Sequence, residues 1–342
     1  ADDVEEQIDD DGIDVIVGTN TGANTNWTLN KTDKNGEKFL AAATWQFGSL
    51  SGSDAVVPDT VIDEMGIHQD EGQGHGFFKI FNNQLQAITP DPISISQFSA
   101  GHREWDCCWL SDGKFVISTV ARGHQYAGDP DFPDGGDDVG LINIFNADGT
   151  RFKDEFFVSE DMTGKQNDLR LGALANGFVC VYKSTSGASC KGVIFDNNGN
   201  RIKEFVATDE ATGIAPGWMD AGGGNTFVTV SIASGQEGMV GLPPELVGMS
   251  IVLARVWNDQ GEPITPFIVV SQHADFRGLG RERCAMAPNG SFIISWHDKM
   301  ANYVDSKECV VARIFKADGT PATNAFVVHP LPEFKDPATG ES

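Results

Sequence analysis

Basic residues are scarce in this 342-residue chain, which has 24 Lys and Arg against 49 Asp and Glu and a formal net charge of −25. A nucleic-acid binder needs a basic face to neutralise phosphates, and anionic lipid attracts basic segments, so we expect neither partner. Long apolar runs are absent too. None approaches the roughly 20 residues of a membrane-spanning helix, so membrane insertion is not expected. Hydrophobic residues still make up 40% of the sequence, enough for a globular core.

Several motifs of known chemistry are missing. The six cysteines include no C-x-x-C pair, which argues against a zinc knuckle. No G-x-S-x-G, P-loop or strand–helix G-x-G-x-x-G segment occurs, so neither a nucleophile elbow nor a phosphate cradle is expected. Cys180 and Cys190 flank a loop between two apolar segments. Either a cross-strand disulfide or two small buried side chains would suit them.

The sequence does contain 39 Gly, 22 Phe and an internal repeat. Each copy has an apolar segment, a tight polar turn ending in Gly, and a second apolar segment closing on Phe. The turn glycines are Gly149, Gly199, Gly261 and Gly319. Asp-Gly and Asn-Gly between apolar runs predict hairpins, because both central residues tolerate positive φ. A second hairpin precedes each copy, so the pattern predicts four strands in each unit.

Tandem four-stranded antiparallel units are typical of a β-propeller, because each unit has two apolar faces that only its neighbours can cover. We therefore predict an all-β fold, a single β-propeller domain at 25–330 with five four-stranded blades. The predicted blades lie at about 25–98, 99–163, 164–213, 214–273 and 274–330. Residues 1–24 would form an acidic arm with one extra strand, and 331–342 a C-terminal tail. An array of β-sandwich repeats is the competing fold.

The extra N-terminal strand raises a question about how the array ends. Residues 14–22 resemble 157–164, a fourth strand with its exit, yet the last unit already has its own fourth strand at 326–328. One terminal strand could close the ring while the other lies elsewhere. Alternatively, one could pair with another chain by strand addition and give a homo-oligomer, or simply form an extra edge strand.

The last unit shows the repeat best, in Ser295-Trp296-His297, Ala312-Arg313-Ile314-Phe315, Asp318-Gly319-Thr320-Pro321 and Phe326-Val327-Val328. In this pattern the chain resembles tandem-repeat β-propeller proteins that bacteria secrete or display on their surface. The resemblance covers about 25–330, strongly in the last unit and poorly in the first. It implies a secreted or cell-surface protein. It implies no activity, because the matching residues are turns and core.

Four residues of the second unit could serve acid–base chemistry on sugar acids. His102 and Arg103 lie at one end of its first hairpin, and His124 and Tyr126 follow the other end. An arginine can neutralise a uronate carboxylate while a histidine or tyrosine removes the C5 proton. These candidate catalytic residues predict a lyase of acidic polysaccharide as an alternative function.

Other residues suit ligand binding. Trp105 and Trp218 precede first strands, where an indole could stack on a sugar ring, whereas other tryptophans recur at core positions. The only basic cluster is a candidate anion-binding spot. Its members are His273, Arg277, Arg281 and Arg283.

An acidic loop could bind a metal ion. Its carboxylates are Asp129, Asp131, Asp134, Asp137 and Asp138. Hard oxygen ligands at close spacing suit Ca²⁺, although the loop is not an EF-hand. A solvated acidic loop is the simpler interpretation in a chain this negative.

Carboxylates predicted on the inner strands bear on the choice between a binding protein and an enzyme. Asp106, Asp168 and Asp220 are predicted at equivalent places before the first hairpins. A repeated structural or ligand role explains such a repeat more simply than the paired carboxylates of a glycosidase. The leading prediction is therefore a binding or scaffold protein that recognises a glycan or a protein surface through inter-strand loops. The alternatives are the polysaccharide lyase and a structural subunit that assembles through its terminal strand.

Overall fold

The tight turn at 146–150 is closed by its own Asp148, Gly149 and Thr150. Gly149 has φ of 88° and donates its N–H to the carbonyl of Asn146, while the N–H of Asn146 bonds to the Thr150 carbonyl. The Asp148 carboxylate accepts the Thr150 N–H at 2.9 Å. The hairpin that the sequence predicted is present, and of the two central residues only the glycine has positive φ, as in a type I turn followed by a left-handed bulge residue.

The computed structural model describes residues 28–30, 38–47, 73–82, 86–89, 93–96, 102–122, 138–161, 164–184, 189–208, 215–221, 224–235, 237, 242, 244–271, 283–298 and 309–330. These residues contain no α-helix, and their one helical segment is a 3-10 turn at Pro244–Leu246. None of their helical segments therefore has the length and apolar character needed to cross a membrane.

The described strands form five sheets, each built from four consecutive antiparallel strands. Sheet 1 contains β1 (Thr28–Asn30), β2 (Lys38–Phe47), β3 (Gln73–Asn82) and β4 (Ile93–Ser94). Sheet 2 contains β5 (His102–Trp109), β6 (Phe115–Arg122), β7 (Asp138–Phe145) and β8 (Arg151–Phe157). Sheet 3 contains β9 (Gln166–Leu174), β10 (Gly177–Ser184), β11 (Ser189–Asp196) and β12 (Arg201–Thr208).

Two further sheets have the same strand order. Sheet 4 contains β13 (Ala215–Ala221), β14 (Thr226–Ser234), β15 (Ser250–Asn258) and β16 (Ile268–Val269). Sheet 5 contains β17 (Arg283–Met286), β18 (Phe292–Asp298), β19 (Cys309–Phe315) and β20 (Phe326–Pro330). The predicted all-β fold with tandem four-stranded antiparallel units is thereby confirmed. The C-terminal strand β20 fills the fourth place of sheet 5, and residues 14–22 lie outside the described residues.

The chain divides into two compact units. Unit 1 comprises Ala1–Gly187 with Lys191–Phe205, and unit 2 comprises Ala188–Cys190 with Val206–Ser342. Within unit 1, sheets 1 and 2 share an aromatic core in which the rings of Phe78 and Phe145 lie 4.6 Å apart. Within unit 2, sheets 4 and 5 share a core that includes Val252, Ile294 and Trp296. In both units the apolar face of one sheet covers that of the next.

The strand order also fixes which connections lie together. In a four-stranded meander, the first and third connections are hairpins at one end of the sheet. The second connection, and the links to neighbouring sheets, lie at the other end. We call this second end the loop end. The first strand of each sheet starts there.

Arginines join each of three sheets to the sheet before it. Arg151 Nη2 donates to the Ile95 carbonyl at 2.8 Å, and Arg201 Nη2 donates to the Val158 carbonyl at 3.1 Å. Arg313 Nη1 donates to the Val270 carbonyl at 3.1 Å. The acceptors are equivalent, because each directly follows the fourth strand of the preceding sheet and its side chain is fully buried. We call the three donors the sheet-linking arginines.

The sheet-linking arginines reach this position from different strands. Arg151 and Arg201 begin fourth strands, whereas Arg313 lies near the end of a third strand. Each guanidinium nevertheless lies over an aromatic ring of its own sheet. The distances to the ring centroids are 4.8 Å for Phe145, 5.9 Å for Phe195 and 5.3 Å for Phe315. The three guanidinium groups thus occupy equivalent places, although the arginines belong to different strands of their sheets.

Cys180 and Cys190 do not form a cross-strand disulfide, since both are buried thiols in the structure. Cys180 packs with Tyr182 and Val193 between sheets 2 and 3. Side chains alternate along a strand, so Cys190, three residues before Val193 on β11, points to the opposite face. Two small buried side chains, the other sequence interpretation, describe the pair correctly.

Replacing a sheet-linking arginine should weaken the fold. Arg313 is only 8% exposed and also donates Nε to the Thr323 carbonyl at 3.2 Å. We expect Arg313→Met to lower the free energy of unfolding by about 2 kcal/mol, because buried carbonyls lose a charged donor. Urea denaturation measures the change. Lys316→Met, an exposed substitution in the adjoining turn, is the control, and an equal effect of both would contradict the proposed link.

Two turn glycines of sheet 2 separate backbone strain from packing. Gly113 and Gly149 have φ of 90° and 88°, but a Cβ on Gly149 would lie 2.5 Å from Ile93 Cδ1, while one on Gly113 would meet nothing within 4 Å. Gly113→Ala should cost about 1–2 kcal/mol from left-handed strain alone. Gly149→Ala should cost a further 1–3 kcal/mol or so through overpacking against sheet 1. Equal losses in urea denaturation would show that the two sheets do not pack as described.

Candidate functional site

The loop end of sheet 2 gathers several residues that the sequence singled out. The backbone of His102, Arg103 and Trp105 belongs to β5, which starts at this end, and His102 pairs with Ala121 across the sheet. Arg122 pairs with Asp138 at the same end, so the connection 123–137 is anchored there. His124 and Tyr126 lie in that connection, outside the described residues. Of the candidate lyase group, the structure therefore describes only the backbone of His102 and Arg103, at the loop end of sheet 2.

The proposed calcium ligands lie mostly beyond the described residues. Asp129, Asp131, Asp134 and Asp137 belong to the connection 123–137. Asp138 is described, and it is a buried residue at the start of β7 rather than part of a loop. Among the residues that the structure describes, no group of three or more His, Cys, Asp or Glu could hold a metal ion.

The ligand-binding candidates of unit 2 lie at or near its loop ends. Arg283 is the first residue of β17 and is exposed. His273, Arg277 and Arg281 fall in the link before it, at 272–282, outside the described residues. The backbone of Trp218 lies on β13, opposite Val230 on β14. Trp218 and Arg283 thus lie on the first strands of sheets 4 and 5.

First strands of three sheets have a β-bulge at the same level. On β5, two residues including Trp105 oppose Thr119, and on β9, Asp168 and Leu169 oppose Tyr182. On β13, Gly217 is the extra residue before Trp218. In each sheet the bulge lies opposite a point on the second strand that is three to five residues beyond the first buried aromatic of that strand. Bulges redirect side chains and are common beside binding and catalytic sites.

The three inner-strand carboxylates are not equivalent, contrary to the sequence prediction. Asp106 pairs with Ser118, the third residue after Phe115. Asp220 pairs with Val228, which directly follows Phe227, whereas Asp168 lies within the β9 bulge. The three carboxylates therefore lie at three different levels of their first strands.

Asp106 has a structural role. It is 1% exposed, its Oδ1 accepts the Cys107 N–H at 2.9 Å, and its Oδ2 accepts the Leu171 N–H at 2.7 Å. Leu171 lies on β9, so this carboxylate joins the first strands of sheets 2 and 3. Both oxygens accept backbone donors inside the protein, which makes Asp106 unsuitable as a catalytic acid.

The polar residues of the β9 bulge are more accessible. Gln166, Leu169 and Leu171 are buried, whereas Asn167, Asp168 and Arg170 are half-buried. The extra residue of the bulge therefore leaves two consecutive polar side chains between buried ones. Asp168 has φ of 55° and is the sole non-glycine with positive φ among the described residues. Sequence reasoning named Asp168 but missed Asn167 and Arg170, because nothing in the sequence marks the bulge.

Buried groups hold this bulge in place. Gln166 Oε1 accepts the Gly140 N–H of sheet 2 at 3.0 Å, and its Nε2 donates to the Asp161 carbonyl at 2.8 Å. Burial raises the pKa of the Tyr182 hydroxyl above its usual range. Burial, reinforced by nearby Asp106, also raises the pKa of the Cys180 thiol. Both groups stay protonated, so they support the bulge and do not supply a nucleophile.

Comparisons with known proteins give distant structural similarity alone. No protein-family model and no curated protein matches the sequence. A protein of unknown function from Dyadobacter fermentans is 14% identical over 90% of this chain and 83% of its own, with a TM-score of 0.49. An endo-arabinase from Bacteroides thetaiotaomicron is 10% identical over 66% of this chain and 81% of its own, with a TM-score of 0.39. An α-L-arabinofuranosidase from Podospora anserina is 7% identical over 67% of each chain, also with a TM-score of 0.39.

The structural role of Asp106 can be tested by an isosteric change. Asp106→Asn turns one carboxylate oxygen into an amide donor that faces a backbone N–H. We expect the free energy of unfolding to fall by about 1–3 kcal/mol, the usual cost of an unsatisfied buried polar group. Asp154→Asn, on the exposed side of β8, is the matched control for urea denaturation. If both variants are as stable as the parent, Asp106 does not join the two sheets.

Proposed function

We propose that this chain is a secreted or cell-surface β-propeller of five blades that binds a glycan through the loop ends of its sheets. Each first strand starts at the loop end of its sheet, and β5, β9 and β13 each have a bulge near that start. The observation that supports this most is the repeated bulge at one level of three first strands. The resemblance to secreted tandem-repeat propellers and the strongly acidic composition fit the location.

A glycan is the ligand that the chemistry of these positions suits best. Trp105 lies in one bulge and Trp218 directly follows another. Flat aromatic rings pack against the apolar faces of sugar rings. Asn167, Asp168 and Arg170 add hydrogen-bonding groups at the β9 bulge. Aromatic platforms with a few polar groups are the usual composition of a small-molecule site.

Binding is favoured over hydrolysis by the state of the described carboxylates. A glycosidase needs two carboxyl groups that flank the scissile bond. Asp106 is unavailable, since both its oxygens accept backbone hydrogen bonds. The lyase alternative needs His102, Arg103, His124 and Tyr126 instead, and it has a distinct readout, the ultraviolet absorbance of unsaturated uronate products.

The proposal predicts that Trp105 contributes to affinity. The purified chain should bind at least one polysaccharide of a panel, and that polysaccharide should retard its migration in a gel. The panel contains the neutral polysaccharides xylan, laminarin and galactomannan and the acidic alginate and pectate. Trp105→Ala should weaken that binding by about tenfold or more, as loss of an aromatic anchor usually does. Affinity electrophoresis and calorimetry measure the effect.

The control is Phe152→Ala, an exposed aromatic at the hairpin end of sheet 2. It should bind as the parent does. Absence of binding to every polysaccharide would overturn the proposal. Growth of unsaturated-uronate absorbance with alginate or pectate, lost in a His102→Ala variant, would favour the lyase instead.

A further inference from the structure

The β9 bulge has a combination of features that packing alone does not require. We define it as the half-buried polar residues Asn167, Asp168 and Arg170 together with buried Leu169. Leu169 and Leu171 belong to the core between sheets 2 and 3 and fix the strand on its buried side. The bulge then turns three polar side chains away from that core.

Asp168 is held in a conformation that costs an L-residue free energy. Its φ of 55° lies in the left-handed region, where glycine is favoured and Asp is tolerated. Glycine would satisfy the backbone there without strain, and the turns of this chain use glycine at their positive φ values. A strained residue kept by its surroundings points to a role of its side chain.

Neighbouring groups define what that side chain can bind. Arg170 Nη1 donates to the Leu169 carbonyl at 2.8 Å, so the guanidinium is folded onto the bulge. A carboxylate accepts two hydroxyl donors, while amide and guanidinium N–H groups donate to hydroxyl oxygens. This set matches adjacent hydroxyl groups of a sugar ring.

The charge of the site selects among sugars. One carboxylate and one guanidinium lie two residues apart, so the bulge itself has no net charge. The whole chain has a net charge of −25, which repels an acidic polysaccharide at long range. Without a locally positive site, a uronate would gain no compensating attraction here.

We propose that Asn167, Asp168 and Arg170 bind adjacent hydroxyls of a neutral sugar, which makes the β9 bulge the specificity-determining part of the glycan site. This inference rests on the proposed glycan-binding function. Asp168 accepts hydroxyl protons, and Asn167 with Arg170 donates to sugar oxygens. The ligand class is a neutral polysaccharide with free vicinal diols.

The test compares two substitutions of Asp168 that differ in backbone strain. Asp168→Asn retains the tolerance for positive φ but removes the charge, and Asp168→Gly removes both the side chain and the strain. Both should weaken binding to the neutral polysaccharide that the parent binds, xylan or galactomannan, by about tenfold or more in calorimetry. Urea denaturation of both variants measures any change in stability, and Asp154→Asn should match the parent in affinity.

The possible outcomes distinguish failure of this inference from failure of the proposed glycan-binding function. If the parent binds a neutral polysaccharide and both Asp168 variants bind it equally well, the β9 bulge is not the site, while glycan binding stands. Binding to alginate or pectate in preference to the neutral polymers would overturn the neutral specificity. A clear loss of stability in Asp168→Gly with unchanged affinity would assign Asp168 a structural role. If the parent binds no polysaccharide, both proposals fail.

Discussion

The hydrogen bond from an arginine to the carbonyl that follows the preceding fourth strand is the constraint on which the repeat depends. A chain that leaves the edge of a sheet exposes a carbonyl beyond its last ladder partner, and a buried carbonyl without a partner is costly. In three places the next sheet supplies a guanidinium for that carbonyl. The same guanidinium lies over an aromatic ring of its own sheet, so one side chain satisfies the exit of one sheet and covers the core of the next.

This interaction, together with the turn glycines, concentrates the structural constraints away from the loop ends. Gly149, Gly199 and Gly319 each face side chains of the preceding sheet so closely that a Cβ would clash. The hairpin ends and the sheet faces are therefore fixed by packing. Connections at the loop ends differ in length, as 123–137 and the short 185–188 show. Loops on a rigid scaffold are where binding groups usually lie, which is why the candidate residues fall at this end.

Sequence reasoning reached the hairpins, the four-strand unit and the apolar faces, because these follow from turn chemistry and alternation. It did not reach the register. A bulge adds one residue without changing composition, so the segments around Trp105 and Asp168 look like ordinary strands. Asp106, Asp168 and Asp220 were predicted to be equivalent because each precedes a first hairpin, although their distances from it differ. The arginines were missed for a related reason: Arg151 and Arg313 reach the same place from different strands, so no fixed spacing reveals them. Cys180 and Cys190 were close in sequence, but alternation put them on opposite faces.

The register also identifies a position whose side chain differs from sheet to sheet. On each first strand, one residue pairs with the third residue beyond the first buried aromatic of the second strand. Where the first strand has a bulge, this residue directly follows it. In sheets 2 to 5 this position holds Asp106, Arg170, Trp218 and Arg283. Turn glycines, core aromatics and sheet-linking arginines recur because the contacts between sheets demand those side chains. Three different residue types at one place mean that the contacts between sheets do not demand one particular side chain there. In sheet 2 the side chain at this position joins two first strands, so the position can serve the fold in one sheet and hold a different residue in the others.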